Sequence, residues 1–484
     1  MATRVERASL GSSLTISRIL TGMWQIQDME RRRGILDHEV AATAMEPYVK
    51  AGLTSFDMAD HYGSAEEIAG HLRETRDFPT EFLTKWVPAP GPITKDDVRS
   101  AVQRSLDRTR SERLDLLQFH TWTYDDPTWL DCLFWLQELK EEGLIANLGL
   151  TNFNAEHLAL ALHSGIDIVS NQVCFSLLDR RPMGEMSQLC SEHGVRLLAY
   201  GTLAGGFLTE RWLDRPEPEA DQLSTAAQSK YLRFIHTAGG WTGLQRLLFA
   251  IHEVAKRYDV SMANIATRYV LDQPAVAGAI IGARLGTAQH VQENLRVFEF
   301  SLDSESRAEL DVAASTLDPI RGGCGDEYRR PPYLTAAGDL SDHLSSMPTP
   351  FLTHTRTDGR QTVTTGTRWE DAAGFSRAVL MGRRILVSGT TATHRDRVIG
   401  GSDAASQMHF IIDKLEGILR SLGARLEDVV QTRVYVRHPS DWEAVSRAHG
   451  RRLGEIAPAN TLILADLVGE EYLVEMEAEA HLAE

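Results

Sequence analysis

Cysteine is scarce: Cys132, Cys174, Cys190 and Cys324 are the only four in 484 residues, and none stands in a C-x-x-C pair. A chain of this size does not need disulfide staples, and a reducing cytoplasm is the expected setting. No uncharged apolar run reaches the roughly 18 residues that a membrane-spanning helix needs, and the charged opening stretch Met1–Arg7 has no apolar core of a signal peptide. Positive charge is in deficit as well, 50 Lys plus Arg against 67 Asp plus Glu, for a formal net charge of −17. A nucleic acid or an anionic membrane is a poor main partner for such a chain, so any anion site must be local. Neither H-E-x-x-H, nor G-x-x-x-x-G-K-S/T, nor a G-x-S-x-G elbow occurs, and no metal, P-loop nucleotide or acyl-enzyme chemistry is expected.

What is present is an ordinary globular balance, 43% apolar and 24% charged, in a chain long enough for one large domain and a smaller one. From about residue 18 to 300, short β-branched runs alternate with stretches of helical period. The strand candidates are residues 18–23, 53–57, 82–85, 114–120, 146–150, 166–172, 196–200 and 276–281. Helical patterns such as 96–108, 127–142, 182–193 and 244–258 lie between them, with Thr94 and Asp126 as capping residues. Eight such units in about 300 residues predict an α/β fold, a (β/α)8 TIM barrel over residues 1–322. Residues 323–360, rich in Gly and Pro, read as a linker. Residues 361–484 read as a separate α+β domain of order ββαβαββ, with its long helix at 403–422.

In a barrel of this kind active sites are built where the strands end. The second candidate strand ends in Phe56-Asp57-Met58-Ala59-Asp60-His61-Tyr62-Gly63, the third in Thr84-Lys85-Trp86 and the fourth in Leu117-Gln118-Phe119-His120. Together Asp57, Tyr62, Lys85 and His120 suit carbonyl reduction. A phenol is a poor acid at neutral pH unless a neighbouring cation stabilises its anion; Lys85 is that cation, Asp57 holds it, and His120 orients the substrate oxygen.

These segments resemble the aldo-keto reductase tetrad, with Asp57 and Tyr62 five apart as in that family, and the likeness runs along the whole barrel. The resemblance implies that Thr151, Asn152 and Gln172 meet the carboxamide of a nicotinamide cofactor and that Tyr200 stacks on its ring. By the same likeness Gly201, Leu203, Gly282, Arg284, Gln289, Glu293 and Asn294 line the remainder of the cofactor, and Trp24 and Trp86 face the substrate. Arg284 can fork onto a 2′-phosphate, which favours NADPH over NADH. Ala146 and Asn147 stand where members commonly place a basic residue, with a packing consequence expected on the barrel wall. The long loop Gly205–Gly240 is expected to shape the substrate pocket or close over the cofactor.

Residues 375–479 resemble the Rid family (reactive intermediate deaminase, YjgF-like), small domains of chorismate-mutase-like fold that usually form trimers. The carrying stretches are Ile385–Thr390, Asp428–Val436, Ala457-Pro458-Ala459-Asn460-Thr461 and Val474–Ala478. The resemblance places a cleft at Phe375, Arg433, Asn460 and Glu475. Asn460 stands where active deaminases have a carboxylate-gripping arginine, so hydrolysis of their usual imines is not expected. The expected function is an NADPH-dependent interconversion of a carbonyl and an alcohol, with a homotrimer formed through the second domain. The alternatives are an NADPH-binding scaffold or sensor with little turnover, and a bifunctional imine deaminase-reductase.

Overall fold

A β-hairpin, β1 (Arg7–Leu10) and β2 (Leu14–Ser17), precedes eight parallel strands in the computed structural model, which describes residues 4–287, 290–329 and 347–482. The eight are β3 (Ile19–Gly22), β4 (Ser55–Asp57), β5 (Glu81–Trp86), β6 (Leu116–Phe119), β7 (Leu148–Thr151), β8 (Ile168–Cys174), β9 (Arg196–Tyr200) and β10 (Val276–Gly282). They close in sequence order, β10 pairing with β3, into a barrel wrapped by helices. Almost every strand residue is buried, which is why these segments read as continuous apolar runs rather than as alternating ones. The helix Lys95–Thr109 starts with a reciprocal capping box between Thr94 and Asp97, and Asp126 accepts from the N–H of Thr128 at 3.0 Å to begin the helix Thr128–Glu141.

The hairpin seals one end of the barrel. Leu10, Leu14 and Ile16 cluster with Leu20, Leu83, Leu116, Val169 and Leu198 of the strands, so only the opposite rim, at the strands' C-terminal ends, stays open. Asn147 is tied into this wall: its amide donates to the Asp115 carbonyl at 2.9 Å and accepts from Ser13 Oγ at 3.2 Å. No helix among the described residues is long and apolar enough to cross a membrane.

Two parts of the stretch read as linker are built into the fold. The turn Asp326–Tyr328 and Arg329 are buried on the barrel. β11 (Leu352–Thr355) pairs with β12 (Gln361–Thr364) as the edge of the second domain's sheet. All four residues of β11 are exposed, so it has no buried face to print an alternation in the sequence. The remaining strands are β13 (Ala378–Met381), β14 (Arg384–Thr391), a small ribbon of β15 (Thr393–His394) and β16 (Arg397–Val398), then β17 (Val429–Val436), β18 (Ala459–Leu464) and β19 (Val474–His481). The main sheet runs β11-β12-β13-β14-β19-β17-β18, with only β17 and β18 parallel. The helices Ala404–Ser421 and Trp442–Leu453 are packed together, the longer of them also lying against β14 and β19.

The two domains are docked firmly. The helix Ala404–Ser421 packs on the barrel helix Ala155–His163, and buried apolar side chains of both domains join in one cluster. Gly417 allows the approach, since a Cβ there would stand 2.2 Å from the Asp125 carbonyl oxygen. Polar pairs cross the seam as well: Arg420 with Asp125 at 2.5 Å, His394 and Arg395 each with Asp131 at 3.0 Å, Arg451 with Glu185 at 2.6 Å, and His157 with Asp413 at 2.8 Å.

Candidate active site

Strand register brings the tetrad residues to one rim. Gly22 lies beside Asp57, Lys85 beside Gln118 and Thr151 beside Gln172, all towards the C-terminal ends of β3 to β8. Asp57 and Lys85 are each 3% exposed. The Lys85 ammonium donates to both Asp57 carboxylate oxygens and to the Met58 carbonyl, all at 2.8 Å, and sits 4.9 Å from the centre of the Tyr62 ring. Burial pushes the Lys85 ammonium below its ordinary range, against the pull of Asp57. Asp57 is further held by the amides of Gln172 at 2.7 Å and Gln118 at 3.3 Å. His120 Nδ1 lies 3.3 Å from the Thr151 carbonyl, which fixes the ring's position on the rim.

Asp57, Tyr62, Lys85 and His120 line one cavity of about 800 Å³, a volume within the range of small-molecule and cofactor sites. Trp24, Thr151, Asn152, Gln172, Tyr200, Gly201, Leu203, Gly282, Arg284, Glu293 and Asn294 line it too. Trp86 does not: its ring packs 5.5 Å from that of Phe119 and is buried. β5 turns it away from the cavity and Val87 takes the place on the wall. Gln289 lies outside the described residues. The long connection after β9 contributes Gly205, Gly206, Thr209, Arg211 and the helix Ala226–Thr237, whose Lys230 and Tyr231 face the cavity.

The residues present fit a nicotinamide dinucleotide. Near the tetrad the wall offers amide and hydroxyl groups together with the Tyr200 ring, whose hydroxyl donates to Asn152 Oδ1 at 2.7 Å. Beyond it the chain is stripped of side chains at Gly201, where a Cβ would fall 2.1 Å from the Tyr231 hydroxyl. A half-exposed arginine, Arg284, lines the same cavity, as does Glu293, which accepts from the Asn264 amide at 2.6 Å.

Sequence reasoning missed the opposite wall. Tyr328 packs edge-on 5.6 Å from His120 and 6.4 Å from Trp122, touches the Tyr200 hydroxyl at 3.3 Å and accepts from Lys230 at 2.5 Å. It is held there by its neighbours. Arg329 donates to the carbonyls of Thr121 at 3.0 Å and Asn152 at 2.5 Å, and Glu327 pairs with the buried Arg181 at 2.7 Å. Residues 121, 152 and 181 are remote in sequence, so nothing local announces Tyr328. Gln118 stood in a stretch read for His120, and only the register shows that it reaches Asp57.

In the second domain the four residues read as a cleft have the following neighbours. Arg433 pairs with Glu477 at 3.1 Å, Asn460 contacts His449 at 3.0 Å, and Phe375 lies 5.1 Å from the Arg377 guanidinium. Glu475 is half-buried beside Gly389, and burial raises its carboxyl above the ordinary value.

Residues 365–482 match the family described as Endoribonuclease L-PSP. An uncharacterized protein of Streptomyces coelicolor is 34% identical over 120 residues, 25% of this chain and 90% of that protein. For the barrel, the chloroplastic pyridoxal reductase of Arabidopsis thaliana is 26% identical over 291 residues, 56% of this chain and 75% of that one. A solved glycerol dehydrogenase from Gluconobacter oxydans superposes with a TM-score of 0.54 at 23% identity, covering 66% of this chain and 98% of the other, a likeness of fold. Residues 18–314, more than half of the chain, match the Aldo/keto reductase family. The protein is thus an oxidoreductase of the aldo/keto reductase family, fused to a C-terminal domain of the Endoribonuclease L-PSP family.

Proposed function

We propose that the barrel interconverts a carbonyl compound and its alcohol with NADP(H), and that Tyr62 is the acid and base of the reaction. A bound nicotinamide dinucleotide supplies the hydride or accepts it. Tyr62 protonates the oxygen of the carbonyl being reduced, or takes the proton from an alcohol being oxidised. Lys85 makes that exchange accessible near neutrality, because an ammonium beside the phenol favours its anion. Asp57, with the amides of Gln118 and Gln172, fixes the ammonium, and His120 orients the substrate oxygen. Thr151, Asn152, Gln172 and Tyr200 present the nicotinamide, and Arg284 takes the 2′-phosphate that separates NADPH from NADH. Trp24, Trp122 and Tyr328 surround the substrate. The observation that carries this reading is the buried Lys85 ammonium, clamped on Asp57 and set 4.9 Å from the Tyr62 ring inside the shared cavity.

Tyr62→Phe should lower turnover of an aldehyde panel by about a thousandfold or more and leave NADPH binding within about twofold. Unchanged turnover refutes the assignment. The second domain we read as the assembly unit of a cytoplasmic homotrimer. Supporting this, Met381, Leu386, Val430, Ile463 and Leu464 are exposed on strands of its sheet. Light scattering should give three chain masses, and a single mass in dilute buffer would overturn it.

A further inference from the structure

The seam between the two domains contains a buried polar line that ends at the cavity wall. Asp413, in the middle of the helix Ala404–Ser421, faces His157 Nε2 at 2.8 Å. His157 Nδ1 lies 2.6 Å from Asn154 Oδ1, and that same oxygen caps the helix Ala155–His163 by accepting from the backbone N–H of His157 at 3.0 Å. The Asn154 amide nitrogen points on to Asp326 at 3.5 Å, whose other oxygen accepts from the Gly323 N–H at 2.6 Å. Asn154 follows Asn152 by two residues, and Asp326 precedes Tyr328 by two. The line therefore supports both the turn that carries Asn152 and the turn that carries Tyr328.

The hydrogen positions follow from the acceptors. Oδ1 of Asn154 must be the oxygen, because it receives a backbone N–H; the ring nitrogen beside it must then donate, and the other ring nitrogen faces a carboxylate. The His157 ring is buried between these two partners, 2% exposed. The Tyr124 ring stacks on it at 3.4 Å, with the Arg329 guanidinium 4.4 Å from the Tyr124 centre. Arg452 pairs with Asp413 and with Glu416 on the same helix, and His409 lies one turn away. Asp413 is the carboxylate in direct contact with the His157 ring. Without it the ring loses the partner that orients it toward Asn154.

We propose that Asp413, a residue of the appended domain, is a positioning residue for the reductase, acting through His157 and Asn154 on the cofactor-facing Asn152 and on Tyr328. The inference rests on the functional reading above. It predicts that the state of the second domain, alone or assembled, is felt in cofactor affinity.

The test uses the full chain, fluorescence titration with NADPH, steady-state kinetics and thermal melting. Asp413→Asn should raise the NADPH dissociation constant and the cofactor KM by about threefold or more, with kcat at saturation within about twofold. Arg395→Ala, which removes another ion pair across the same seam, should change melting alone. Asp413→Asn with the wild-type dissociation constant and a lowered melting point would make the residue mere glue and overturn the proposal. Should Asp413→Asn fail to fold, His157→Gln, which replaces the ring by a side-chain amide, is read by the same criteria. A wild-type chain that binds neither NADPH nor NADH overturns the functional reading and this inference with it; wild-type binding that Asp413→Asn leaves unchanged overturns the inference alone.

Discussion

The barrel rim and the sheet of the second domain treat their polar residues in opposite ways. At the rim, Asp57 and Lys85 are 3% exposed and share one pocket with residues drawn from almost every strand. On the sheet, Arg433, Glu477 and Asn460 make short pairings with their nearest neighbours in the open. A buried pair is costly to break and strongly felt by whatever stands beside it, whereas an exposed pair is screened and contributes little. Chemistry is concentrated where water has been removed, whereas Arg433 and Asn460 on the sheet keep their contact with solvent.

The sharpest way to break this contrast is Lys85→Met. It leaves the Asp57 carboxylate buried with only the two glutamine amides, and should cost about 3–5 kcal/mol of stability together with all measurable turnover. A melting point unchanged by this substitution would mean that the rim is wetter than its geometry implies.

Acid provides a middle-sized test, placed at the seam. Burial, with Arg452 nearby, holds the His409 imidazole down at about 3, against an ordinary value of 6.5. The unfolded chain therefore takes up a proton below about pH 6.5 that the folded chain refuses until about pH 3. Stability from this group is complete above pH 6.5 and declines as the pH falls through that window, by about 2 kcal/mol at pH 5. Asp413, held at about 2 by His157 and Arg452 against its burial, adds its own loss only below its ordinary value of 3.8. Melting curves from pH 7.5 to 4.5 should show the decline, and His409→Asn should flatten it.

The smallest effect is expected on the sheet. Asn460→Ala removes an exposed contact to His449 and should shift stability by less than about 0.5 kcal/mol, with the kcat and KM of the barrel unchanged. A large loss of carbonyl turnover would instead mean that the two domains share a reaction.

The eight barrel strands were legible because parallel strands buried on both faces leave β-branched runs, and the meeting of Asp57, Tyr62, Lys85 and His120 in one cavity was legible because three of them close such runs and Tyr62 follows the first by five residues. Ten of the eleven residues expected around the cofactor line the cavity, and Gln289 lies outside the described residues. Trp86 was misplaced because the alternation within β5 decides which face it takes, and neighbouring residues give no warning of that. The hairpin of β1 and β2 was invisible in two runs of four residues. Tyr328 and the His157–Asp413 contact, 256 residues apart in the chain, depend on partners that only the closed fold supplies.

Because residues 322–329 turn back to the mouth of the cavity before the chain leaves for the second domain, the working unit does not end where the family match ends, at residue 314. A chain cut there would keep every barrel strand and yet admit solvent beside His120, where Tyr328 now stands. Tyr328 is itself part of the cavity wall, so anything that shifts residues 322–329 reaches the substrate's side of the barrel directly.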